Sequence, residues 1–367
     1  MSTRVSIRPK APLLDAGLAR PDWLRSVPRR EDLLWLDKNE NMDPAMQQLA
    51  QRVLHEIDPR SVGLYPELGN LYRKLAQWAG VSPESLILTP GSDGAIRMVF
   101  DAFIDRGDKV AYPSPTFAMY SVYGKMFGVA ASPLHYQRGD RGPALSAATI
   151  LEHLKRERPK LFCLPNPDSP TGTIVAPEDL RAVVETCADI GCVALIDEAY
   201  HPFYDRSCAS WTQDFENLIV ARTFAKAWGL AGLRIGYAIG NPGTIRYLHK
   251  LRPMYEVGAV SAVVAERMLD FADEMRASVR RLNQGKAYFL EQMERLGFRT
   301  LRGEGNFLHV AFGKRAAEVH RALEALVLYR ADFSEPCLQG YSRFSSTTVE
   351  QFQPLAAAIA KAAGECA

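Results

Sequence analysis

The chain has no apolar run approaching the roughly 18 residues that a membrane-spanning helix needs. Its start, MSTRVSIRPKAPLL, carries basic residues without an apolar signal core, so export is not expected. There is no surplus of charge of either sign. The 44 basic and 42 acidic side chains leave a formal net charge of +2, which offers no support for a nucleic-acid or membrane-surface partner. Cysteine is scarce. The six cysteines (Cys163, Cys187, Cys192, Cys208, Cys337 and Cys366) include no C-x-x-C pair and are too few for a disulfide scaffold. They are expected to be reduced thiols in a cytoplasmic protein. Several motifs are missing too: a G-x-x-x-x-G-K-[ST] phosphate loop, a G-x-G-x-x-G after a strand, and H-E-x-x-H, while the seven histidines show no metal-ligand spacing. Those absences weigh against a phosphate-loop ATPase, a nicotinamide dehydrogenase and a metal centre.

What is present is ordinary globular material, with 47% hydrophobic and 23% charged residues, which excludes wholesale disorder. The length suits two domains or one large α/β unit. Asp43-Pro44 reads as the cap and first residue of a helix, AMQQLAQRVLHEI. From SLILTP onward, short apolar strands (KVAYP, VAASPLHY, KLFCLP, CVALID, NLIVAR, RIGYAIG) alternate with amphipathic helices. That rhythm predicts an α/β fold with a mostly parallel, helix-covered sheet. Past about Asn241 the pattern changes to longer helices, then strands FLHVAF, LVLYR and YSRFSS and a closing helix VEQFQPLAAAIAKAA. This second region reads as a smaller α+β domain.

Four segments carry polar residues at the ends of predicted strands, where ligands collect in open α/β sheets. CVALIDEAYH places Asp197 and Glu198 after a buried strand, as functional carboxylates or as caps of a following helix. RTFAKAWGLAGLRIGY carries Thr223, Lys226 and Arg234, and the lysine taken alone reads first as a solvated helix start. PGSDGAIRMVF sets Ser92, Asp93 and Gly94 where a strand becomes a helix, a place that suits a phosphate or a simple N-cap. LPNPDSPTG brings Asn166, Asp168, Ser169 and Thr171 into a turn. Their order and shared strand-end placement are more specific than any one of them.

The ordered set YP, GSDG, PTF, NPDSPTG, DEAY, T-x-x-K and LAGLRIG resembles the fold-type I pyridoxal-phosphate enzymes, class I/II aminotransferases, and within them the histidinol-phosphate aminotransferase-like branch. The likeness runs from about Leu36 to the C-terminal helix. It implies an aspartate aminotransferase-like fold with a large cofactor domain over 36–245 and a small domain built from 1–35 and 246–367. It also implies a homodimer with active sites at the subunit interface. Lys226 would form the Schiff base with pyridoxal phosphate and move the proton, Asp197 would hold the pyridinium nitrogen protonated, and Tyr200 would bond the ring oxygen. Phe117 would stack on the ring. Thr223, Arg234 and the first turn at Ser92, Asp93 and Gly94 would hold the phosphate, with Tyr65 reaching it from the neighbouring subunit. Arg330 and Arg343 match the positions that hold a substrate anion. The NEN triplet, Asn39 to Asn41, matches the motif lining the pocket mouth, with Asn41 as its substrate contact.

Three departures from the family pattern stand out. Ser169 replaces the asparagine that bonds the ring oxygen, Ala225 replaces a hydroxyl residue before the lysine, and Met42 replaces a proline. They mark a specialised relative. The resemblance therefore implies transamination between an amino compound, histidinol phosphate or a related amino acid, and a 2-oxo acid such as 2-oxoglutarate. The alternatives are another reaction on the same scaffold, such as decarboxylation of a phosphorylated amino acid, and a cofactor-binding protein without turnover.

Overall fold

A computed structural model describes residues 9–364 apart from Ala16, Ala19, Asp22 and Trp23; Cys366 and the first eight residues lie outside the described part. The chain opens with β1 (Leu34–Trp35), α1 (Pro44–His55), α2 (Gly69–Ala79), β2 (Leu86–Thr89), α3 (Gly91–Phe103), β3 (Lys109–Ser114), α4 (Met119–Phe127) and β4 (Ala130–His135). It continues through β5 (Gln137–Gly139), β6 (Gly142–Ala144), α5 (Ala147–Glu157), β7 (Leu161–Pro165), α6 (Pro177–Asp189), β8 (Val193–Asp197), β9 (Leu218–Thr223) and β10 (Gly236–Gly240). The remainder is α7 (Pro242–His249), α8 (Ala259–Met268), α9 (Ala272–Arg295), β11 (Arg299–Leu301), β12 (Phe307–Ala311), α10 (Ala316–Leu323), β13 (Val327–Leu328), β14 (Ser342–Ser345) and α11 (Val349–Ala363).

Seven strands form the central sheet in the order β2-β10-β9-β8-β7-β3-β4. All its pairings are parallel except those of β10, which runs antiparallel to both neighbours. Side chains alternate along each strand, and here both faces are apolar. Phe162, Leu164, Ala194, Ile196, Leu218 and Val220 enter one core cluster, while Leu161, Cys163, Leu195, Ile219 and Ala221 enter another. A sheet buried on both faces is why these strands read as continuous hydrophobic runs.

The expected helices and strands of this half are present, with Asp43 accepting a hydrogen bond from Ala45 N as the cap of α1. The β5–β6 hairpin was not expected. In the second half, LVLYR contributes only the two residues of β13, which pair in parallel with β1. β11, β12 and β14 form a separate antiparallel sheet.

Core packing divides the chain differently from the expected boundary at 245. Val257, Ala262, Met268, Met275 and Leu282 belong to the large core, while Phe289, Leu290 and Met293 of the same helix α9 belong to the small one. Leu36 also packs in the small core. The division therefore falls within α9, a 24-residue helix with buried residues along its length. Long helices at sequence level carry no mark of where one core hands over to the next.

Gly285 lies at that handover. A Cβ there would run into the carbonyl of Thr347 and the backbone of Thr348, just before α11. Helix propensity alone predicts that Gly285→Ala stabilises by about 1 kcal/mol. Packing predicts the opposite, a loss of roughly 1–3 kcal/mol, because backbone cannot move aside as a side chain can. Urea unfolding of the variant separates the two; a midpoint at or above wild type would mean that α9 and α11 do not pack this closely.

Candidate active site

The carboxyl ends of three adjacent strands meet at one cavity of about 240 Å³: Pro165 from β7, Asp197 from β8 and Thr223 from β9 line it. Ser92 and Asp93 from the start of α3, Phe117, Pro167, Ser169, Ala199, Tyr200, Ala225, Lys226 and Arg234 complete the lining. One cavity thus gathers side chains from all four strand-end segments.

Its most demanding group is Asp197, buried at 4% exposure. The carboxylate accepts from the Tyr120 hydroxyl at 3.0 Å and from Ala199 N at 3.0 Å, and no ion pair to it is found among the described residues. Burial pushes its pKa up to about 6 against those two hydrogen bonds. An ionised carboxylate here calls for a cation.

Lys226 is the amine of the cavity. Its Nζ donates to the Lys38 carbonyl at 2.8 Å and lies 5.9 Å from the centre of the Tyr200 ring. Burial, then the Arg343 guanidinium, lowers its pKa to about 8. Tyr200 is buried, and its hydroxyl accepts from Asn39 Nδ2 at 2.8 Å.

The other end of the cavity suits an anion. Pro90 before α3 offers no side-chain cap, so the N–H groups of the first turn are left for another acceptor. The Arg234 guanidinium lies over that turn so closely that a Cβ on Gly91 would meet Nη2 at 2.7 Å. Gly236 of β10 is equally constrained, since a Cβ would come within 2.7 Å of Ser92 N. Thr223 accepts from Ala225 N at 3.1 Å, which leaves its O–H free to donate.

Beneath the site, Glu198 and Arg222 form an ion pair at 2.9 Å, with side-chain exposures of 3% and 6%. Burial pushes the Glu198 pKa up, but the Arg222 guanidinium, His201 and the hydrogen bonds from Cys208 N and Ser207 together outweigh it and leave the pKa lowered. Glu198 also accepts from Ser207 and from Cys208 N, both at 2.8 Å. This pair joins the ends of β8 and β9, directly beside Asp197 and Thr223. Losing one partner of a buried pair costs about 3–5 kcal/mol, against about 1 kcal/mol or less for an exposed one, so this pair holds the site's geometry in a way the surface pairs do not.

Some sequence expectations fall elsewhere. Asn41 does not line the cavity: its Nδ2 donates to the Ala227 carbonyl and to Ser278, and its Oδ1 accepts from Asp43 N, so its hydrogen-bonding capacity is spent on structure. Asn39 of the same triplet is the one that reaches Tyr200. It adopts φ 56°, and this left-handed turn carries its neighbours past Lys226. Gly94 lies in the first turn of α3 against Pro90 and is not part of the lining. Tyr65 is 76% exposed, stacked on Tyr255 at 4.4 Å, and away from this chain's own cavity. Arg343 approaches Ser169 at 3.5 Å, whereas Arg330 is bound to Glu335.

Sequence reasoning missed Tyr120, which follows Phe117 by one helical turn. It also passed over the role of Asp168. The Asp168 carboxylate accepts from Thr116 at 2.7 Å and from Tyr136 at 2.8 Å, joining the loop that carries Phe117 to the one that carries Ser169.

The donor set fits a flat molecule with an anion at one end, a protonatable ring nitrogen against Asp197, and a group that reacts with an amine. The family model for aminotransferase class I and II matches residues 31–359. Histidinol-phosphate aminotransferases of Thermoanaerobacter pseudethanolicus and Thermoanaerobacter sp. strain X514 are 32% and 31% identical over 338 and 331 residues, each match covering 89% of this chain and 91% of the relative. The structure of histidinol-phosphate aminotransferase from Sinorhizobium meliloti in complex with pyridoxal 5'-phosphate superposes with a TM-score of 0.77 at 22% identity, covering 90% of this chain and 91% of that one.

The lowered Lys226 pKa can be read in cofactor-free protein. The amine is charged below about pH 8 and neutral above it, whereas ordinary lysines stay charged to about pH 10.4. Labelling with an amine reagent, followed by peptide mass spectrometry, is expected to show half-maximal Lys226 reactivity near pH 8. Reactivity that rises only with the surface lysines would show that the surroundings do not hold the amine's pKa down.

Proposed function

Since this chain belongs to the class I and II aminotransferases, in the histidinol-phosphate aminotransferase-like branch, and is an enzyme that works with pyridoxal phosphate, we propose that the cavity at the ends of β7, β8 and β9 is its active site. In this reading the enzyme transfers an amino group from histidinol phosphate or a related amino acid to a 2-oxo acid such as 2-oxoglutarate. The observation that carries the reading is the pairing, in one cavity, of an uncompensated buried carboxylate with an amine of lowered pKa and an uncapped helix start under an arginine.

The cofactor supplies an aldehyde that captures amines and a protonated ring that withdraws electrons from the bonds at the substrate's Cα. The protein's residues do the rest. Lys226 would hold the cofactor through Nζ and, as a free amine, would take and return the proton at the substrate's Cα; its lowered pKa gives a useful neutral fraction near neutral pH. Asp197 keeps the ring nitrogen protonated, and the hydrogen bond from Tyr120 fixes the carboxylate's orientation. Tyr200, held by Asn39 and with Ser169 beside it, would serve the ring oxygen. Phe117 would stack on the ring. Ser92, Asp93, Thr223 and Arg234 would hold the phosphate, and Tyr65 would join them from a second copy of the chain. The homodimer is supported by the exposed apolar side chains around Tyr65, namely Val62, Leu64 and Met254 at 80%, 63% and 80% exposure.

Arg343 is suited to the substrate carboxylate because, among the described residues, its guanidinium reaches only neutral acceptors, Asp37 O and Ser169 Oγ. Arg330 donates to both oxygens of Glu335, at 3.2 and 3.1 Å. That pair is more than a quarter exposed on each side and worth about 1 kcal/mol or less, so a distal phosphate on the donor can displace it. A cytoplasmic setting is supported by the five described cysteines, all free and buried. No helix among the described residues is long and apolar enough to cross a membrane.

Half-reactions test the function: amino donors, histidinol phosphate among them, are added to the loaded enzyme and the loss of its visible absorption is followed. Lys226→Ala is expected to abolish borohydride-trapped attachment of the cofactor. Trapping that persists in this variant would remove Lys226 from its assigned role. Asp197→Asn is expected to keep bound cofactor while transamination falls by roughly two orders of magnitude or more. Near-wild-type turnover in that variant would leave Asp197 a structural carboxylate.

A further inference from the structure

The small antiparallel sheet carries a row of three basic side chains across neighbouring backbone segments. His309 on β12 is paired in register with Arg343 on β14, and Arg343 bridges Arg330 on its other side. Arg343 exchanges both backbone hydrogen bonds with Arg330, at 2.8 and 3.1 Å. Its pairing with His309 is therefore of the non-hydrogen-bonded kind, in which side chains stand closest. Directly opposed residues share a face, so all three side chains project the same way.

Neutralisation along this row is uneven. Arg330 has Glu335 and lies 3.9 Å over the Phe333 ring. Among the described residues, Arg343 lies over Phe307, reaches only the two neutral acceptors, and its buried Nε has no partner. His309 is fully buried among Phe307, Phe333 and Tyr341, and neither ring nitrogen makes a well-formed hydrogen bond, although the Pro170 carbonyl faces the ring. The Tyr341 hydroxyl, two residues before Arg343, is also buried without a partner. Orphaned polar atoms this deep are expensive, and several together point to a shared task.

A third cation in the row would repel the other two. Burial and then the Arg343 charge lower the His309 pKa to about 3, with Lys286 and Arg330 acting in the same direction, so the imidazole stays neutral. Neutral imidazole keeps one acceptor nitrogen and one donor N–H. Both arginines are pure donors. An acceptor beside them is what the row otherwise lacks.

We propose that His309 is a positioning residue for the substrate carboxylate: Arg343 Nε and the His309 ring, cross-strand neighbours that are both unpartnered among the described residues, pair when the terminal nitrogens of Arg343 take the anion, with the neutral ring as acceptor. Its N–H then remains for the Pro170 carbonyl, which faces the ring from the loop of Ser169. The inference rests on the aminotransferase reading above, in which Arg343 receives that carboxylate. It assigns to a buried histidine a part in choosing and holding the acid substrate.

The test is calorimetric titration of the cofactor-loaded enzyme with 2-oxoglutarate, for wild type, H309L, H309N and H309Q. H309L fills a similar volume but offers no acceptor, and its Kd is expected to rise about tenfold. At least one amide variant, placing an oxygen near Nδ1 or Nε2, is expected to return it to within about threefold of wild type. Cofactor absorbance and Tm should hold across the set, and in turnover the KM for the 2-oxo acid should rise in H309L while kcat changes little. Wild-type affinity in H309L overturns the proposal. So does equal weakening in all three variants or loss of bound cofactor, either of which makes His309 a packing residue. Should H309L fail to fold, the amide pair decides: weakening in both overturns the proposal, and retained binding in either upholds it. If the wild type binds and aminates no 2-oxo acid, the aminotransferase reading itself falls, and this inference with it.

Discussion

A carboxylate buried at the end of β8 with two neutral donors, and no paired cation among the described residues, is the constraint around which the rest of the site is arranged. Asp197 cannot be both ionised and content with Tyr120 and Ala199 alone. The fold keeps it there because strand β8 is central, flanked in register by β7 and β9. In the proposed function that unsatisfied charge is the place for one protonated ring nitrogen. The opposite polarity at the far end, where α3 begins under Arg234, sets the direction in which a molecule with an anion and a protonated nitrogen must lie.

Such a place needs a rigid frame, and the frame is a layer below. The Glu198–Arg222 pair joins the residues next to Asp197 and Thr223, and Ser207 and Cys208 complete the carboxylate's partners. On the opposite side Asp168 joins the loops of Phe117 and Ser169. Both carboxylates lie outside the cavity lining. Their work is to keep the lining residues from drifting, since misplacement of a reacting group by about 1 Å can cost a hundredfold in rate.

The small domain contributes through α9, whose first half belongs to one core and whose second half to the other. That continuity brings the β12–β14 sheet, and with it Arg343, against the Ser169 loop. Asn39 enters from the opposite end of the chain, hydrogen-bonded to Ser345 through its backbone and to Tyr200 through its amide. These contacts join segments some 300 residues apart in sequence.

Asp197, Lys226, Thr223, Ser92 and Arg234 were legible in the sequence for a local reason. Each of the first four ends or follows an apolar strand or opens a helix, and strand ends in a doubly covered sheet are where ligands collect, whereas Arg234 precedes β10 and stood out through the motif it shares with Lys226. The alternation of strands and helices, and the capped start of α1, were legible for the same reason, since hydrophobic period and turn chemistry are written in neighbouring residues. What the tertiary structure alone decided depends on register between distant segments. It selected Asn39 over Asn41 because a left-handed turn at position 39 directs one amide to Tyr200 and leaves the other bonded to Ala227 and Ser278. It left Arg343 without a carboxylate while giving Arg330 to Glu335, and set neutral His309 beside them, because cross-strand neighbours come from pairing that no local pattern records. It also moved the division between the cores into the middle of α9, because a helix buried along its whole length reads the same whichever core each turn faces.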